Sequence, residues 1–372
     1  MSECVVGTHN AIHSDQGALS GEHPGRSTNP VIKVHGIAWL EFERPDRVRA
    51  EAFARTFGFS AALRTSDELH LRGSDAGTPC VIVRKGERSR FVGVAVDLMD
   101  PSGLPVRVVA GNSQLEPLLA QTPHVFNFGH DVSRVNSTQR PPRVPTRVQR
   151  LGHVVLQTTK YRQALDWYLD HFGLIVSDFQ YYPGQRDRGP VMSFIRCVRG
   201  QTPADHHTLA LALGPSNRYL HSAYQVSDID ALATGGQYLK DLGYKRSWGI
   251  GRHMQGSQIF DYWLDPDGFL VEHFSDGDMF DNSLEPGRAP FTASGLNQWT
   301  GLLTSAAVSR FTSLTRVRQR SGGDAGARLP AGLVGVARTF DSGRRHRGTY
   351  GPRRCAGIRR EFGDQRSTAG AQ

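Results

Sequence analysis

The residues best suited to chemistry lie in one stretch, 249–278, which reads GIGRHMQGSQIFDYWLDPDGFLVEHFSDGD. It contains His253, Tyr262 nine residues later, an Asp-Pro-Asp-Gly turn at 265–268, and Glu272 four residues beyond the turn. Apolar and aromatic residues alternate on both sides of the turn, which predicts a β-hairpin with Glu272 on the returning strand. A carboxylate in an apolar strand is costly unless a cation or a donor meets it. Glu272 is therefore a candidate metal ligand.

Two upstream segments supply histidines that could complete a metal site. Each segment starts an apolar run with a histidine near its beginning, LGHVVLQT with His153 and YLHSAYQV with His221. Two histidines and one carboxylate form the facial triad of non-haem Fe(II) proteins, which leaves about three coordination positions open. A structural zinc site would have four ligands, commonly with thiolate, and no cysteine is placed for that role. The pattern indicates Fe(II), with Mn(II) as the alternative.

The elements that position these residues recur along the chain at a spacing of roughly 55 to 70 residues, which is the mark of an internal repeat. Each repeat reads as a βαβββ unit, and helices are expected at 47–57, 162–172 and about 228–242, each followed by glycine. Four units predict an α+β protein with two domains, each made of two βαβββ units that form a cupped mixed sheet.

The domain boundaries follow from shifts in composition. We expect a flexible segment at 1–30, an N-terminal βαβββ domain without metal at 31–140 and a Pro- and Arg-rich linker at 141–150. A C-terminal catalytic, metal-binding domain follows at 151–282. An Arg-rich extension spans 283–372 and is expected to be largely disordered from about 301. The N-terminal domain is interpreted as scaffolding because Trp39 stands where His153 stands in the later repeat, and FVGVAVD has no histidine opposite His221.

Composition limits the compartment and the partners. The chain has no apolar run of 18 residues and no signal-peptide pattern, so we expect a cytoplasmic protein without a membrane partner. Its cysteines at 4, 80, 197 and 355 are far apart, which favours free thiols. The net charge is +9, yet residues 301–372 alone contain 14 arginines, no lysine and four acidic residues. The basic charge thus belongs to the tail. A nucleic-acid-binding arm is one interpretation of the tail, but without interleaved aromatic residues a disordered extension is favoured and no nucleic acid is expected.

The hairpin motif resembles that of type I extradiol ring-cleavage dioxygenases, the catechol 2,3-dioxygenase-like branch of the vicinal oxygen chelate superfamily. The resemblance covers about residues 31–282. It departs from the family pattern at Asp261, where an apolar residue is expected, and this bears on the substrate subfamily rather than on the reaction. The matching residues, in order, are Gly251, His253, Tyr262, Asp265, Pro266, Gly268 and Glu272.

The resemblance implies an Fe(II) enzyme that opens a catechol-type ring with O2 in aromatic catabolism and that forms homo-oligomers. It also implies roles for three residues. His207 resembles the acid–base histidine, although only one of the adjacent pair His206 and His207 can line a pocket. His253 and Tyr262 resemble the pair that hydrogen-bonds the substrate hydroxyl and oxygen intermediates. His273, beside Glu272, is expected to face away from the cavity.

Two other functions remain open from the sequence. One is a glyoxalase-type isomerase or lyase of the same fold, and the other is a non-catalytic ligand-binding module. The spacing of His253, Tyr262 and Glu272 disfavours the isomerase or lyase, and the complete triad disfavours the module. The substrate and the cleavage position are not fixed by the sequence. Candidates to line the ring pocket are Phe179, Tyr181, Met192, Phe194, Met254, Phe260 and Trp263.

Overall fold

The computed structural model describes residues 18–300, apart from 94–97, 112 and 293. The Arg-rich tail beyond residue 300 lies outside the described residues, as do Cys4 and Cys355. Among its described residues, the first part of the chain contains one α-helix, α1 (Arg47–Phe57), and seven strands. These strands are β1 (Leu40–Arg44), β2 (Ser60–Arg64), β3 (Glu68–Arg72), β4 (Val81–Lys85), β5 (Arg90–Gly93), β6 (Leu98–Met99) and β7 (Pro105–Val106).

The predicted helix at 47–57 is confirmed, and local chemistry sets both of its ends. The Asp46 carboxylate accepts a hydrogen bond from the backbone N–H of Arg49, which satisfies a free donor at the N-terminus. Gly58 ends the helix in the left-handed conformation with φ 113°. Helix α1 and strands β1 to β4 form the first βαβββ unit, with strand order β2-β3-β4-β1-β5.

The second N-terminal unit differs from the expected βαβββ pattern. Strand β5 pairs antiparallel with β1, as the first strand of a second unit should, but no helix follows it in the described part of 94–150. The physical reason is visible in residues 101–150, which contain seven prolines. Proline lacks the N–H that helices and inner strands need, so this stretch runs largely without regular structure.

The second part of the chain forms a ten-stranded sheet and two helices, α2 (Tyr161–Phe172) and α3 (Ile229–Asp241). The two predicted helices are confirmed to within a few residues, and Gly173 ends α2 at φ 62°. The strands from here on are β8 (Leu151–Thr158), β9 (Ile175–Tyr181), β10 (Met192–Arg196), β11 (Ala204–Asp205), β12 (Leu209–Leu213), β13 (Arg218–Gln225), β14 (Lys245–His253), β15 (Ile259–Leu264), β16 (Leu270–Ser275), β17 (Met279–Phe280), β18 (Gly287–Pro290) and β19 (Asn297–Thr300).

This sheet contains two βαβββ units side by side, with their first strands adjacent. Its order is β18-β9-β10-β12-β8-β13-β16-β15-β14-β19, with β8 and β13, the first strands of the two units, paired antiparallel at the centre. Within each unit the first strand pairs parallel with the last, β8 with β12 and β13 with β16. The two units are thus related by an approximate two-fold axis, and the α+β arrangement of paired βαβββ units expected from the sequence is confirmed for this part of the chain.

Segments outside the two units extend or cover this sheet. Strands β18 and β19, which come after residue 282, add one strand to each edge. Near the N-terminus, His23 is buried and its Nε2 lies 2.7 Å from the Asp166 carboxylate on α2. The segment expected to be flexible up to residue 30 therefore packs on the C-terminal units from at least His23 onward. None of the helices within residues 18–300 is long and apolar enough to cross a membrane.

Candidate metal centre and active site

One row of paired residues crosses the centre of the large sheet and carries most of the site. In the strand register, Ala223 of β13 pairs with His153 of β8 on one side and with Glu272 of β16 on the other. Glu272 pairs in turn with Tyr262 of β15. Directly paired residues place their side chains on the same face of a sheet. Residues far apart in sequence therefore meet on one surface.

His221 joins this row because it lies two residues before Ala223 on β13 and so faces the same side. Its Nε2 is 3.3 Å from Oε2 of Glu272, and Nε2 of His153 is 3.4 Å from the same oxygen. One ligand atom from each of the three residues lies within 4.8 Å of the others. All three residues are buried, with exposed fractions of 2%, 6% and 0% for His153, His221 and Glu272.

The chemistry of this cluster fits a divalent metal ion. Both carboxylate oxygens of Glu272 are buried and have no hydrogen-bond partner among the described residues. Burial alone would raise the pKa of Glu272, but the adjacent His153, His221 and His253 outweigh it and hold the pKa well below its usual range. A buried anion without donors is costly unless a cation compensates it. Two imidazoles and one carboxylate suit Fe(II) or Mn(II).

His253 and Tyr262, to which the family resemblance assigns hydrogen bonds with the substrate, are hydrogen-bonded to each other in this structure. His253 Nδ1 is 2.9 Å from the carbonyl oxygen of Leu296, so Nδ1 carries a proton and donates it. The other nitrogen, Nε2, is 3.0 Å from the Tyr262 hydroxyl and 3.8 Å from Oε1 of Glu272. Burial, followed by the charge of Glu272, raises the pKa of Tyr262 well above its usual range. The phenol therefore stays protonated and can donate a hydrogen bond.

The adjacent histidines His206 and His207 take different positions. The His207 ring lies against that of His153, with centroids 3.9 Å apart, and it lines the same cavity as His153 and His221. Burial lowers the pKa of His207 well below its usual range, so its imidazole is neutral. His206 is fully buried, lies outside the cavity lining, and places Nε2 2.7 Å from the Asp178 carboxylate.

The cavity over the cluster has a volume of about 40 Å³. Among the aromatic and methionine candidates, Met192 and Phe194 line it, whereas the other five do not. Phe179 and Tyr181 belong to the main core instead, and the Trp263 indole donates a hydrogen bond to Asp261. The lining comprises His153, Val155, Met192, Phe194, His207, His221, Trp248, His253, Gln255, Gln258, Tyr262 and Leu296.

Several residues that shape the site were not identified from the sequence. Ala223 is one, because a small residue in an apolar strand carries no local signal. Asp178 is another, although its carboxylate stands in the apolar strand IVSDFQY and could have been noticed for the same reason as Glu272. Gln255 and Gln258 lie in the loop between β14 and β15. The expectation for His273 is confirmed, since its ring packs on Phe57 outside the cavity lining.

Comparison with known proteins identifies the type of domain that carries the site. Residues 150–273 match the family model described as Glyoxalase/Bleomycin resistance protein/Dioxygenase superfamily. The chain therefore carries a glyoxalase-type, or vicinal oxygen chelate, domain, as the hairpin motif indicated.

Individual relatives add detail. The chain is 29% identical to Metapyrocatechase 2 of Cupriavidus necator over 282 residues. This alignment covers 68% of the present chain and 84% of the relative. Homoprotocatechuate 2,3-dioxygenase from Arthrobacter globiformis superposes with a TM-score of 0.60 at 15% identity, over 77% of this chain and 93% of that one. A Mn(II)-bound glyoxalase from Novosphingobium aromaticivorans superposes with a TM-score of 0.58 at 20% identity, over 73% of this chain and 92% of that one. At these identities the two structures demonstrate a shared fold.

Proposed function

We propose that this protein is an Fe(II)-dependent extradiol dioxygenase that opens a catechol-type ring with O2 in aromatic catabolism. The observation that carries the proposal is the buried His153–His221–Glu272 cluster, whose carboxylate oxygens accept no hydrogen bond from the described residues. The relationship to Metapyrocatechase 2 supports the same reaction.

His153, His221 and Glu272 would hold the metal, because one ligand atom from each of them lies within 4.8 Å of the other two. Bound iron would supply a template for two substrate oxygens and a path for electrons between the ring and dioxygen. Mn(II) prefers the same ligands, so it is the alternative metal. All three ligands come from the centre of a sheet, which keeps their spacing rigid.

His207 would take a proton from a catechol hydroxyl and return it later. A general base must be unprotonated before it acts, and burial keeps the His207 imidazole neutral. Its ring lies against that of His153 at a tilt of 39°, so a substrate oxygen held at the cluster would come within reach of it.

Tyr262 and His253 would orient the substrate. The Tyr262 hydroxyl stays protonated and lies between His253 and Glu272 on the cavity wall. If a substrate oxygen replaced His253 as the partner of the Tyr262 hydroxyl, it would receive a hydrogen bond from a donor that is already fixed in place. His253 is held by the Leu296 carbonyl, so its Nε2 remains directed at this corner of the cavity.

The size of the cavity limits how a ring enters. A volume of about 40 Å³ accommodates one or two water molecules rather than an aromatic ring. A catechol would therefore bind with movement of lining side chains. Met192 is suited to move because its unbranched side chain has three rotatable bonds and it is only half-buried. We further propose a cytoplasmic homo-oligomer that acts on a small molecule without nucleic-acid or membrane partners.

Anaerobic reconstitution with Fe(II) tests the proposal. Catechol, 3-methylcatechol and a trihydroxylated ring are added in turn, oxygen is admitted, and oxygen uptake and the yellow absorbance of ring-opened products are followed. We expect one O2 consumed per ring opened. Stoichiometric iron on the protein without oxygen uptake from any diol would reject the dioxygenase and favour an isomerase or lyase of the same fold.

A further inference from the structure

Behind the cavity, three buried side chains form a continuous line of hydrogen bonds. Oδ2 of Asp178 lies 2.7 Å from Nε2 of His206, and Nδ1 of His206 lies 3.0 Å from Nδ1 of His207. The exposed fractions of Asp178, His206 and His207 are 3%, 0% and 4%. The line begins on β9 in the sheet and ends at the cavity wall.

The His206 ring is fixed from several directions. Its backbone N–H donates to the Asp278 carbonyl, and its carbonyl accepts from the Ser177 hydroxyl on the strand that carries Asp178. The loop between β14 and β15 closes over the ring at Gly256. A Cβ at Gly256 would lie only 2.8 Å from Nδ1 of His206, so glycine leaves the space that the ring occupies. His206 thus has little freedom to break its contacts by rotating.

The positions of the protons along these hydrogen bonds indicate which ring nitrogen of His207 is unprotonated. An ionised carboxylate only accepts hydrogen bonds, so His206 must carry a proton on Nε2. In a neutral His206, Nδ1 is then an acceptor, and the proton in the Nδ1–Nδ1 contact must belong to His207. We propose that Asp178 and His206 are positioning residues that hold His207 in the tautomer with a proton on Nδ1, leaving Nε2 free as a base.

The competing state would place an imidazolium at His206, which would then donate from both nitrogens and put the proton of His207 on Nε2. Burying a further charge in a fully buried site is unfavourable unless the charge is needed to balance another one. A cation already lies close to Asp178, because the buried Arg196 guanidinium donates to the Val176 carbonyl oxygen and to the Ser177 hydroxyl on the same strand. The arrangement with a neutral His206 therefore gives the better balance of charge in the buried site.

This inference rests on the proposed function for its catalytic meaning, since Nε2 of His207 is the atom that would accept the catechol proton. The tautomer itself is a property of the folded protein and can be measured without turnover. Full-length protein labelled with 15N-histidine and loaded with zinc(II), a diamagnetic replacement for iron(II), gives nitrogen chemical shifts that separate bare from protonated ring nitrogens. His207→Phe and His206→Phe assign the signals. We expect a protonated Nδ1 and a bare Nε2 for His207; a protonated Nε2 would overturn the proposal.

Asp178→Asn tests the origin of the tautomer, because asparagine keeps the size of the side chain but removes the charge. We expect mixed tautomers at His207 and a kcat lower by about ten- to a hundredfold in the iron enzyme, with KM and iron content unchanged. Asp166→Asn is the matched control. His23 and Asp166 form a similar contact of 2.7 Å away from the cavity, so this change should leave the His207 signals and kcat unaffected.

The outcomes separate the two proposals. Wild-type kcat and unchanged His207 signals in Asp178→Asn would show that the carboxylate does not set the tautomer. If Asp178→Asn does not fold or bind iron, the tautomer of the wild-type protein decides alone. Failure of the wild-type iron enzyme to consume oxygen would remove the proposed reaction, yet the zinc-loaded protein would still establish or reject the Asp178–His206–His207 arrangement.

Discussion

The imidazole of His273 lies nearly flat on the ring of Phe57, with the ring centroids 3.7 Å apart and an interplanar angle of 24°. Its Nε2 also lies 2.8 Å from the Phe57 carbonyl oxygen, to which it donates. Phe57 ends helix α1 of the N-terminal unit, whereas His273 follows Glu272 on β16. The N-terminal unit therefore supports the strand that carries Glu272, a proposed metal ligand.

Replacing Phe57 by alanine should remove much of this support. Phe57 is fully buried and packs against Phe53, Phe59 and Tyr224 as well as His273. Loss of such a ring typically costs about 3–5 kcal/mol of unfolding free energy. Chemical denaturation of Phe57→Ala measures the change. Phe128→Ala is the control, since Phe128 is 69% exposed and its loss should have little effect. A change below about 1 kcal/mol at Phe57 would contradict the supporting role.

Glu272→Gln should abolish iron binding while the fold persists. The amide has the shape of the carboxylate but lacks the charge that attracts a divalent ion, and it would bring a donor into the centre of the ligand cluster. We expect iron content near background by elemental analysis, with an unchanged circular dichroism spectrum. Glu285→Gln changes an exposed glutamate that pairs with Arg26 and should keep full iron content. Stoichiometric iron in Glu272→Gln would exclude Glu272 as a ligand.

Ala223→Val should weaken metal binding by a steric effect. Ala223 stands between His153 and Glu272 in the strand register and is fully buried, so added methyl groups would have to separate the two ligands. Overpacking a buried position typically costs about 1–3 kcal/mol. Iron titration monitors the affinity. The same change at Ala212, also buried but paired with Gln157, should cost stability without reducing iron affinity to the same extent. Equal iron affinity in both variants would contradict this account.

Asp261 should make stability depend on pH. Burial raises the pKa of Asp261 from its ordinary value of 3.8 to about 7, despite the neighbouring Arg246. The ionised form is thus less favoured in the folded protein than in the unfolded chain. This residue should reduce stability progressively as pH rises from about 4 to about 7, and the loss should be complete above pH 7.

Asp261→Asn should therefore be more stable than the wild type at pH 8, by on the order of 2–4 kcal/mol, and show little difference near pH 4. Denaturation across this pH range tests the prediction. Asp276→Asn, in a more exposed pair with Arg252, should show no comparable trend. If Asp261→Asn loses stability at pH 8, the ion pair with Arg246 outweighs the burial of the carboxylate.

If the protein opens catechols as proposed, Met192→Ala should widen the range of catechols that it accepts. Met192 lines a cavity too small for a ring, and shortening it adds space without touching the ligand cluster. We expect a lower KM for ring-substituted catechols relative to catechol itself, with iron content unchanged. Met279→Ala, at an exposed residue outside the cavity lining, is the control. If the ratio of KM for a substituted catechol to KM for catechol is the same in wild type and Met192→Ala, the substrate ring does not bind beside Met192.

The sequence was most informative where the signal was local. The hairpin with Glu272 and the helix ends at Gly58 and Gly173 depend on neighbouring residues, because alternation and glycine conformations act over short distances. The location of His153 and His221 on the first strands of the two C-terminal units followed from the repeat. Their convergence with Glu272 agrees with the expectation.

Features that depend on strand register could not be predicted. The position of Ala223 between two ligands and the contact of Asp178 with His206 both require knowledge of which strands pair, and at which residue. The incomplete second N-terminal unit was also missed, because FVGVAVDL reads as a unit start although the proline-rich sequence after it cannot continue the pattern. Such losses of a repeat are visible only when its whole length is considered.

The approximate two-fold relation within the large sheet has a consequence for what the site can bind. It places His153 and His221 at equivalent positions, each opening its unit, and it makes Ala210 the counterpart of Glu272, since Ala210 pairs with Val155 as Glu272 pairs with Ala223. A duplicated, fully symmetric ancestor would present two carboxylates and enclose an ion on four sides. Here one copy has a methyl group instead, so the proposed metal site has a carboxylate from only one of its two units.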